Sequence, residues 1–583
     1  MTRLNSNVRR APPPREPFFT GVFLATVLLA GAACTKSATV TGVRYKNEEP
    51  AWLVNDRRDV AEKPREIEEH VFFDPAEALI FTPASDALQV IETRRARDIN
   101  ALGEVPDSTW FTNRMGLRQL SPEDIARGPG DGKGPDLSAP LAIVKGKEAG
   151  AAVGFIVEDA SGVRYLLKFD HALVPIIETA AEVISQRLLW AIGYHVPENT
   201  VVVLAPEQLV VTEKSTMKDK LGNKRPLTDA DLAATLARVK PRPDGRYRVM
   251  LSRYLDGVPI GGIMPEGVRE DDRNDTIPHQ DRRVLRGLHV FFSWLQCTDV
   301  KPANSLDMWV EDPDDPKRHH VMHYLVDFGK SLGAFASLSP RTFDGHSYIF
   351  DPADDLLSMV TLGLWKRPWE GTHDARIPGV GLFDAEHFDP GAWKSHFPYL
   401  PITRKDRYDA YWASKIVMSF SPAHIRAAVE QGRLEHPDAV DHLTAVLVGR
   451  QRRIGAYWFR KVTPVDHFAT ASRFDGLRLC FRDLLLEYDL ASPAEKNTRY
   501  VVTSYDYDGD SLGYQAQARP QSYHGSYTAC VDGVITGESN DGYTIVRIDT
   551  YRNGNDRALA PIELHLARDR ASGEHRVIGI HRR

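Results

Sequence analysis

Cysteine is scarce in this chain: four in 583 residues, none in a Cys-x-x-Cys pair, so the usual thiolate metal clusters are excluded. An excess of positive charge is missing too. With a formal net charge of −6, no broad electrostatic surface for nucleic acid is indicated. The His-Glu-x-x-His signature of zinc hydrolases does not occur, and there is no internal repeat at solenoid periods. Long apolar runs are absent beyond a single one near the N-terminus, Phe18 to Ala33.

That run carries the first positive statement. Arg3, Arg9, Arg10 and Arg15 precede it, and it ends in Ala-Gly-Ala-Ala-Cys34, the pattern of an export signal spanning residues 1–33. Cys34 after Gly-Ala-Ala resembles a bacterial lipoprotein acceptor, which implies a lipid-anchored protein of the cell envelope. Gly31 departs from the leucine usual there, so ordinary cleavage near Ala33 and an uncleaved anchor stay open. Export places the thiols in an oxidising compartment. Cys480 and Cys530 lie in strand-like stretches and are candidates for a bridge, leaving Cys297 free.

The remainder divides by pattern. Residues 34–138 are expected to hold a polar tether (to about 60) and an irregular region, closing on a Gly-Pro-Asp-rich stretch, Gly128 to Pro140. Between 139 and 258, β-prone runs at Leu141–Lys147, Val153–Glu158 and Val163–Phe169 alternate with hairpin turns. A helix at Ile177–Ile192 and strands at Thr200–Ala205 and Tyr247–Leu255 follow. Residues 212–245, rich in Lys and Pro, look like an insertion with one helix capped at Thr228. From 259 to 461 the chain is expected to be helical, with a long helix over about 279–296, helical structure over 353–461, and a cap at Ser421-Pro422. Residues 462–583 read as all-β. The fold class expected is α+β.

The chemistry is densest at Asp299-Val-Lys301-Pro-Ala-Asn304, followed by Asp327-Phe-Gly329. Phosphoryl transfer needs such a set: a carboxylate to orient the attacking hydroxyl, an ammonium beside the moving phosphate, and an amide and second carboxylate for Mg²⁺. Glu311-Asp-Pro-Asp-Asp-Pro316 looks like the tip of a hairpin between the two motifs. His319, His320 and His323 alternate along a strand toward Asp327 and read as structural or substrate-facing. Asp506-Tyr-Asp-Gly-Asp510 lacks the spacing of a calcium loop and reads as a hairpin tip.

In this order, strands, helix, strands, helix, Asp-x-Lys-x-x-Asn and Asp-Phe-Gly resemble the protein-kinase-like superfamily, in its atypical HipA, CotH and phosphatidylinositol-kinase-like branches. The likeness spans about residues 139–335. It implies a bilobal domain with a β-rich N-lobe and a helical C-lobe, followed by a C-terminal β domain. It makes Asp299 the catalytic base and Lys301 the ammonium at the transferred phosphate, with Asn304 and Asp327 holding Mg²⁺. Lys168, ending the third strand, would hold ATP phosphates and pair with a helix carboxylate. Glu182 is favoured for that partner, because Glu178 is explained by the helix dipole. Gly146, Gly150 and Gly154 would cover phosphates with backbone N–H groups. The partners implied are a nucleotide, an unknown acceptor and the membrane, with no nucleic acid. Cys297-Thr298 in place of His-Arg, and the lack of an Ala-Pro-Glu-like segment after Gly329, put a protein substrate in doubt. They also keep a second reading alive: an inactive, pseudokinase-type binding or structural module of the envelope.

Overall fold

Alternation and turn chemistry build the first sheet. The computed structural model describes residues 40–67, 94–147, 152–219, 221–334, 342–349, 351–365, 367–371, 375–523 and 526–583. Strands β1 (Leu141–Gly146), β2 (Gly154–Glu158) and β3 (Arg164–Phe169) form an antiparallel meander. Its second turn is made by Asp159, whose carboxylate accepts the N–H groups of Ser161 and Val163 at 2.9 Å each. Strands β4 (Asn199–Leu204), β5 (Leu209–Lys218), β6 (Lys224–Pro226) and β7 (Tyr247–Arg253) extend it to seven strands, ordered β4-β7-β3-β2-β1-β5-β6. Leu141, Ile143, Phe155, Val157, Leu167, Phe169 and Leu251 bury one face, against which the Asp229–Leu236 helix packs. The expected insertion is therefore partly sheet, because β5 runs parallel beside β1. Its helix does start at Thr228, whose side chain and Asp231 form a reciprocal cap.

The helix at Ile177–Ile192 is buried along almost its whole length, between the sheet and the Pro422–Gln431 helix. It stops at Gly193, φ +147°, where a Cβ would lie 2.3 Å from the Phe111 ring. Downstream, the long helix expected over 279–296 is instead three pieces: a 3₁₀ turn His279–Asp281 and helices Arg283–Arg286 and Leu288–Leu295. Gly287, between the two helices, keeps helical dihedrals (φ −63°, ψ −20°), and its missing side chain lets Trp412 approach, since a Cβ there would meet the ring at 2.6 Å. Gln296, left-handed at φ +49°, ends the last piece and aims the chain at Cys297.

A three-stranded sheet of β8 (Val258–Pro259), β9 (Ser305–Glu311) and β10 (His319–Leu325) carries the two motifs at its ends. The Glu311–Pro316 stretch is at the tip of the β9–β10 hairpin, as expected. Beyond it, helices occupy Pro352–Val360, Leu400–Thr403, Arg407–Met418, Pro422–Gln431 and Ala439–Trp458. Residues 375–399 hold neither helix nor strand, against the helical expectation. Pro378, Gly379, Gly381, Pro390 and Gly391 explain the difference: prolines remove N–H donors, and glycines remove the side-chain restraint a helix needs.

The last part is two antiparallel sheets. Strands β11 (Val465–Arg473) and β12 (Gly476–Asp483) lead to β13 (Arg499–Tyr505), β14 (Ser511–Ala518), β15 (Gln521–Tyr523) and β16 (Ser526–Val534). Strands β17 (Thr544–Tyr551), β18 (Ile562–Arg568) and β19 (His575–Arg582) complete them, in orders β11-β12-β16-β15 and β14-β13-β17-β18-β19. A shared core of Leu479, Phe481, Tyr500, Val502, Ile548 and Leu564 lies between. Cys480 and Cys530 are direct cross-strand partners and form a disulfide, while Cys297 is free and buried. Asp506 closes the β13–β14 turn by accepting N–H groups from Asp508, Gly509 and Asp510. The hairpin-tip reading thus stands.

The expected tether is the largest surprise. Residues 42–67 belong to the same compact unit as the rest of 42–583 and are hydrogen-bonded along their length. Tyr45 donates its hydroxyl to Ile580 O and lies flat against Gly579. Val60 donates to His319 O at 2.7 Å, and Ile67 to Ile260 O at 3.1 Å. The segment is a strap from β19 to the β9–β10 sheet. Its polarity misled the reading, because its bonds are made by backbone groups that composition does not display.

Candidate active site

Lys168 owes its position to strand alternation. Leu167 and Phe169 point into the sheet core, so Lys168 faces the opposite side. There its Nζ lies 2.9 Å from Asp327 Oδ1 and 3.5 Å from Glu182 Oε2. Glu182, in the second turn of the Ile177–Ile192 helix, also accepts from Asn199 Nδ2 at 3.3 Å. Burial raises the Glu182 pKa above the ordinary carboxyl value, against the pull of Lys168. Burial works to lower that of Lys168, but the two carboxylates outweigh it and hold the ammonium charged.

Asp299 is set by the abrupt end of the Leu288–Leu295 helix. Its Oδ2 is 2.9 Å from Lys330 Nζ and 3.5 Å from Lys301 Nζ. Burial pushes its pKa up, yet the two ammonium groups and Asn304 bring it below the ordinary carboxylate value. Asn304 donates its amide N–H to Asp299 O at 2.6 Å, and its own carbonyl accepts from Val326 N at 3.0 Å. The loop and the Asp-Phe-Gly strand end are thereby tied together. Asp327 has φ +59°, a left-handed conformation costing a non-glycine residue about 1–2 kcal/mol. Phe328 is buried in the main core and holds it there. Gly329 leaves room for the carboxylates, since a Cβ would come within 3.2 Å of Glu182 Oε2.

Lys168, Glu182, Asp299, Lys301 and Asp327 therefore line one cleft, with a cavity of about 110 Å³. Asn304 lines the adjoining recess with Asp299, Lys301 and Asp327. Gly146 and Gly154 sit within β1 and β2. Their small size is accounted for by packing: a Cβ would meet Met217 at 3.1 Å and Leu167 O at 2.0 Å respectively. Gly150 and Cys34 lie outside the described residues, as does the export signal.

No family model and no curated protein matches this chain. Solved structures similar to this chain include two of one protein. One is a crystal structure of the Golgi casein kinase with Mn/ADP bound, at 11% identity and a TM-score of 0.26, over 54% of this chain and 74% of that one. The other, a structure of the Golgi casein kinase, gives 11% identity and a TM-score of 0.22, over 55% and 73%. Likeness at that level carries no argument, so the geometry must stand on its own.

Three lining residues escaped the sequence reading. Lys330, directly after Asp-Phe-Gly, contacts Asp299; its adjacency to the motif was the available signal. Lys147 donates to Ala152 O at 2.9 Å across the mouth of the first hairpin and helps hold Asp327 ionised. Glu178, set aside as a helix-dipole residue, lines the cleft, and burial with nearby Asp170 pushes its carboxyl up to about 8. Four lysines and four carboxyls thus share the cleft.

Other polar candidates are structural. His323 donates through Nδ1 to the Asp307 carboxylate, 2.7 Å away, and stacks on Trp110 at 3.5 Å between ring centroids. His319 stacks on Trp309. Among the described residues no three His, Cys, Asp or Glu side chains are grouped to hold a metal ion. Gly509-Asp-Ser511-Leu-Gly513 has the spacing of a nucleophile elbow, but Ser511 opens strand β14 with no helix following, so that chemistry lacks its context.

Proposed function

We propose that the cleft binds a magnesium-nucleotide and transfers its terminal phosphoryl group to a hydroxyl acceptor, in a protein exported and anchored at the cell envelope through Cys34. One observation carries the catalytic reading: Lys168 and Asp327, 159 positions apart, meet at 2.9 Å with buried Glu182 behind them. Such an ammonium, kept charged by two carboxylates and facing an open cleft, is prepared for phosphate oxygens.

Asp327 and Asn304 fit a Mg²⁺ site of the kind completed by substrate phosphates, where the protein supplies one carboxylate and one amide oxygen. When bound, the ion would neutralise charge on the phosphates. Lys168 would exchange part of its contact with Asp327 for phosphate. Asp299, held ionised, would accept a hydrogen bond from the acceptor hydroxyl and orient it. Its low proton affinity makes it a late proton acceptor: the O–P bond to the acceptor forms, the bond to the leaving diphosphate breaks, and the hydroxyl proton then passes to Asp299.

The pseudokinase reading has one supporting observation: Lys301 and Lys330 both engage the carboxylate that must receive the acceptor. Two measurements separate the readings. Thermal stabilisation by Mg-ATP that disappears in Asp327→Ala supports a nucleotide site. Label transfer from γ-labelled ATP to an envelope extract, lost in Asp299→Ala while stabilisation persists, supports the enzyme. Stabilisation without transfer supports the binding module, and no stabilisation at millimolar nucleotide rejects both.

A further inference from the structure

The Ile177–Ile192 helix also borders a second cavity, of about 440 Å³, which shares no lining residue with the cleft. A volume of that order suits a small organic molecule. Val183 and Arg187 of the helix line it, together with edge strand β4 and, just past the Pro422–Gln431 helix, Arg433. The Gly-Pro-Asp-rich stretch expected to be a linker forms a further wall, at residues 132–135. At Gly128 its backbone rests on the Arg187 guanidinium, since a Cβ there would lie 2.7 Å from Nη1.

The charges around this cavity do not cancel. Arg127 pairs with Asp124, and Lys133 with Asp131 at 3.2 Å. Glu198, the one carboxylate in the lining, lies 3.7 Å from Arg253. Arg187 and Arg433 have no ion-pair partner among the described residues. Arg187 is only 5% exposed. It donates through Nε to Ala126 O at 3.0 Å and through Nη1 to Gln186 Oε1, while Nη2 has no hydrogen-bond partner among the described residues. Burial lowers its pKa to about 10 against the pull of Glu198. A buried guanidinium with an unused nitrogen beside a cavity suits an oxyanion.

Arg433 adds an independent observation. It follows Gly432, the last cap of its helix, with φ +46°, a left-handed position that favours glycine. An arginine there strains the backbone, and its side chain makes no hydrogen bond among the described residues that would offset the strain. Strain of this kind collects at ligand sites.

We propose that this cavity binds a small molecule bearing phosphate or carboxylate oxygens, held by Arg187 and Arg433 and separate from the nucleotide cleft. Two guanidinium groups favour a ligand with at least two negative charges. The inference is independent of phosphoryl transfer.

The test titrates the full chain with pyrophosphate and, separately, with citrate, in EDTA and against sodium chloride of equal ionic strength. Titration calorimetry gives the affinity, and thermal unfolding the linked stabilisation. Expected is saturable binding of at least one probe at millimolar concentration or below. It should weaken at least tenfold in Arg187→Gln and in Arg433→Gly, and stay unchanged in Lys301→Ala of the cleft. Arg433→Gly separates binding from folding: glycine relieves the left-handed backbone, so without probe this variant should melt no lower than the wild type. Pyrophosphate binding alone identifies a phosphate ligand, citrate binding alone a polycarboxylate, and both support the site. Binding lost in Lys301→Ala but kept in both arginine variants moves the anion to the cleft and overturns the proposal. Stabilisation matched by chloride, or no saturable binding at millimolar probe, overturns it as well.

Discussion

A buried ammonium between two carboxylates is worth little as a stabilising pair but much as an arrangement, because removing it strands charge of one sign. Lys168 is that ammonium. In Lys168→Met, Glu182 keeps only Asn199 and a backbone donor, and the nearby Asp327 carboxylate repels it. We expect a loss near the lower end of the roughly 3–5 kcal/mol typical of a broken buried pair, since half of the Asp327 side chain is exposed. The sign with pH follows. A carboxyl whose folded pKa is raised binds a proton more readily folded than unfolded, so its penalty is largest above the folded pKa and fades as pH falls. The melting temperature of Lys168→Met should therefore move toward that of the wild type between pH 8 and pH 5. A constant difference across that range would refute the stranded-charge account.

At the scale of elements, short strands were placed within a residue or two by alternation and turn residues, and the Ile177–Ile192 helix was placed end to end. The misreadings had local causes. The 279–296 pattern is divided at a 3₁₀ turn and at Gly287, where Trp412, more than a hundred positions away, packs on the missing side chain. The prolines and glycines of 375–399 were present in the text but outweighed by apolar residues that pack without a helix. The β12–β16 pairing yields an element-level prediction. Cys480→Ser removes a bridge closing a 50-residue separation and should lower stability by about 2–4 kcal/mol, mainly by freeing the unfolded chain. Urea denaturation of oxidised wild type, reduced wild type and variant measures it. Equal midpoints for all three would show that the bridge contributes nothing.

Across the whole molecule, buried ion pairs join parts that the chain order keeps separate. Asp466 on β11 accepts from Tyr411 at 2.9 Å, Lys415 at 3.0 Å and Arg582 at 3.1 Å, linking the Arg407–Met418 helix to β11 and β19. Although burial acts to raise it, Lys415 and Arg582 drive the Asp466 pKa far below its ordinary value. A depressed carboxyl contributes stability that is complete above the unfolded value of about 3.9 and lost only as pH falls below it. Asp466→Asn should thus cost about 3–5 kcal/mol at pH 7. It should also split unfolding, so that the C-terminal sheets melt ahead of the helices in calorimetry. The difference between the variant and wild type should narrow steadily as pH falls below about 3.9. A single, unshifted transition at pH 7 would remove Asp466 as the link.

Read alone, the chain determined the α+β alternation, the candidate Asp299–Asn304 and Asp327–Gly329 motifs and the preference for Glu182 over Glu178 as the lysine partner. Each of these depends on residues close in sequence, where helix and strand periods and turn chemistry act. Only the tertiary structure decided that Lys168 reaches Asp327, that Lys330 and Lys147 join the cleft, and that residues 42–67 are a strap. Those outcomes depend on backbone hydrogen bonds and ion pairs between distant segments. Such contacts form when packing closes the chain on itself, and local composition does not record them.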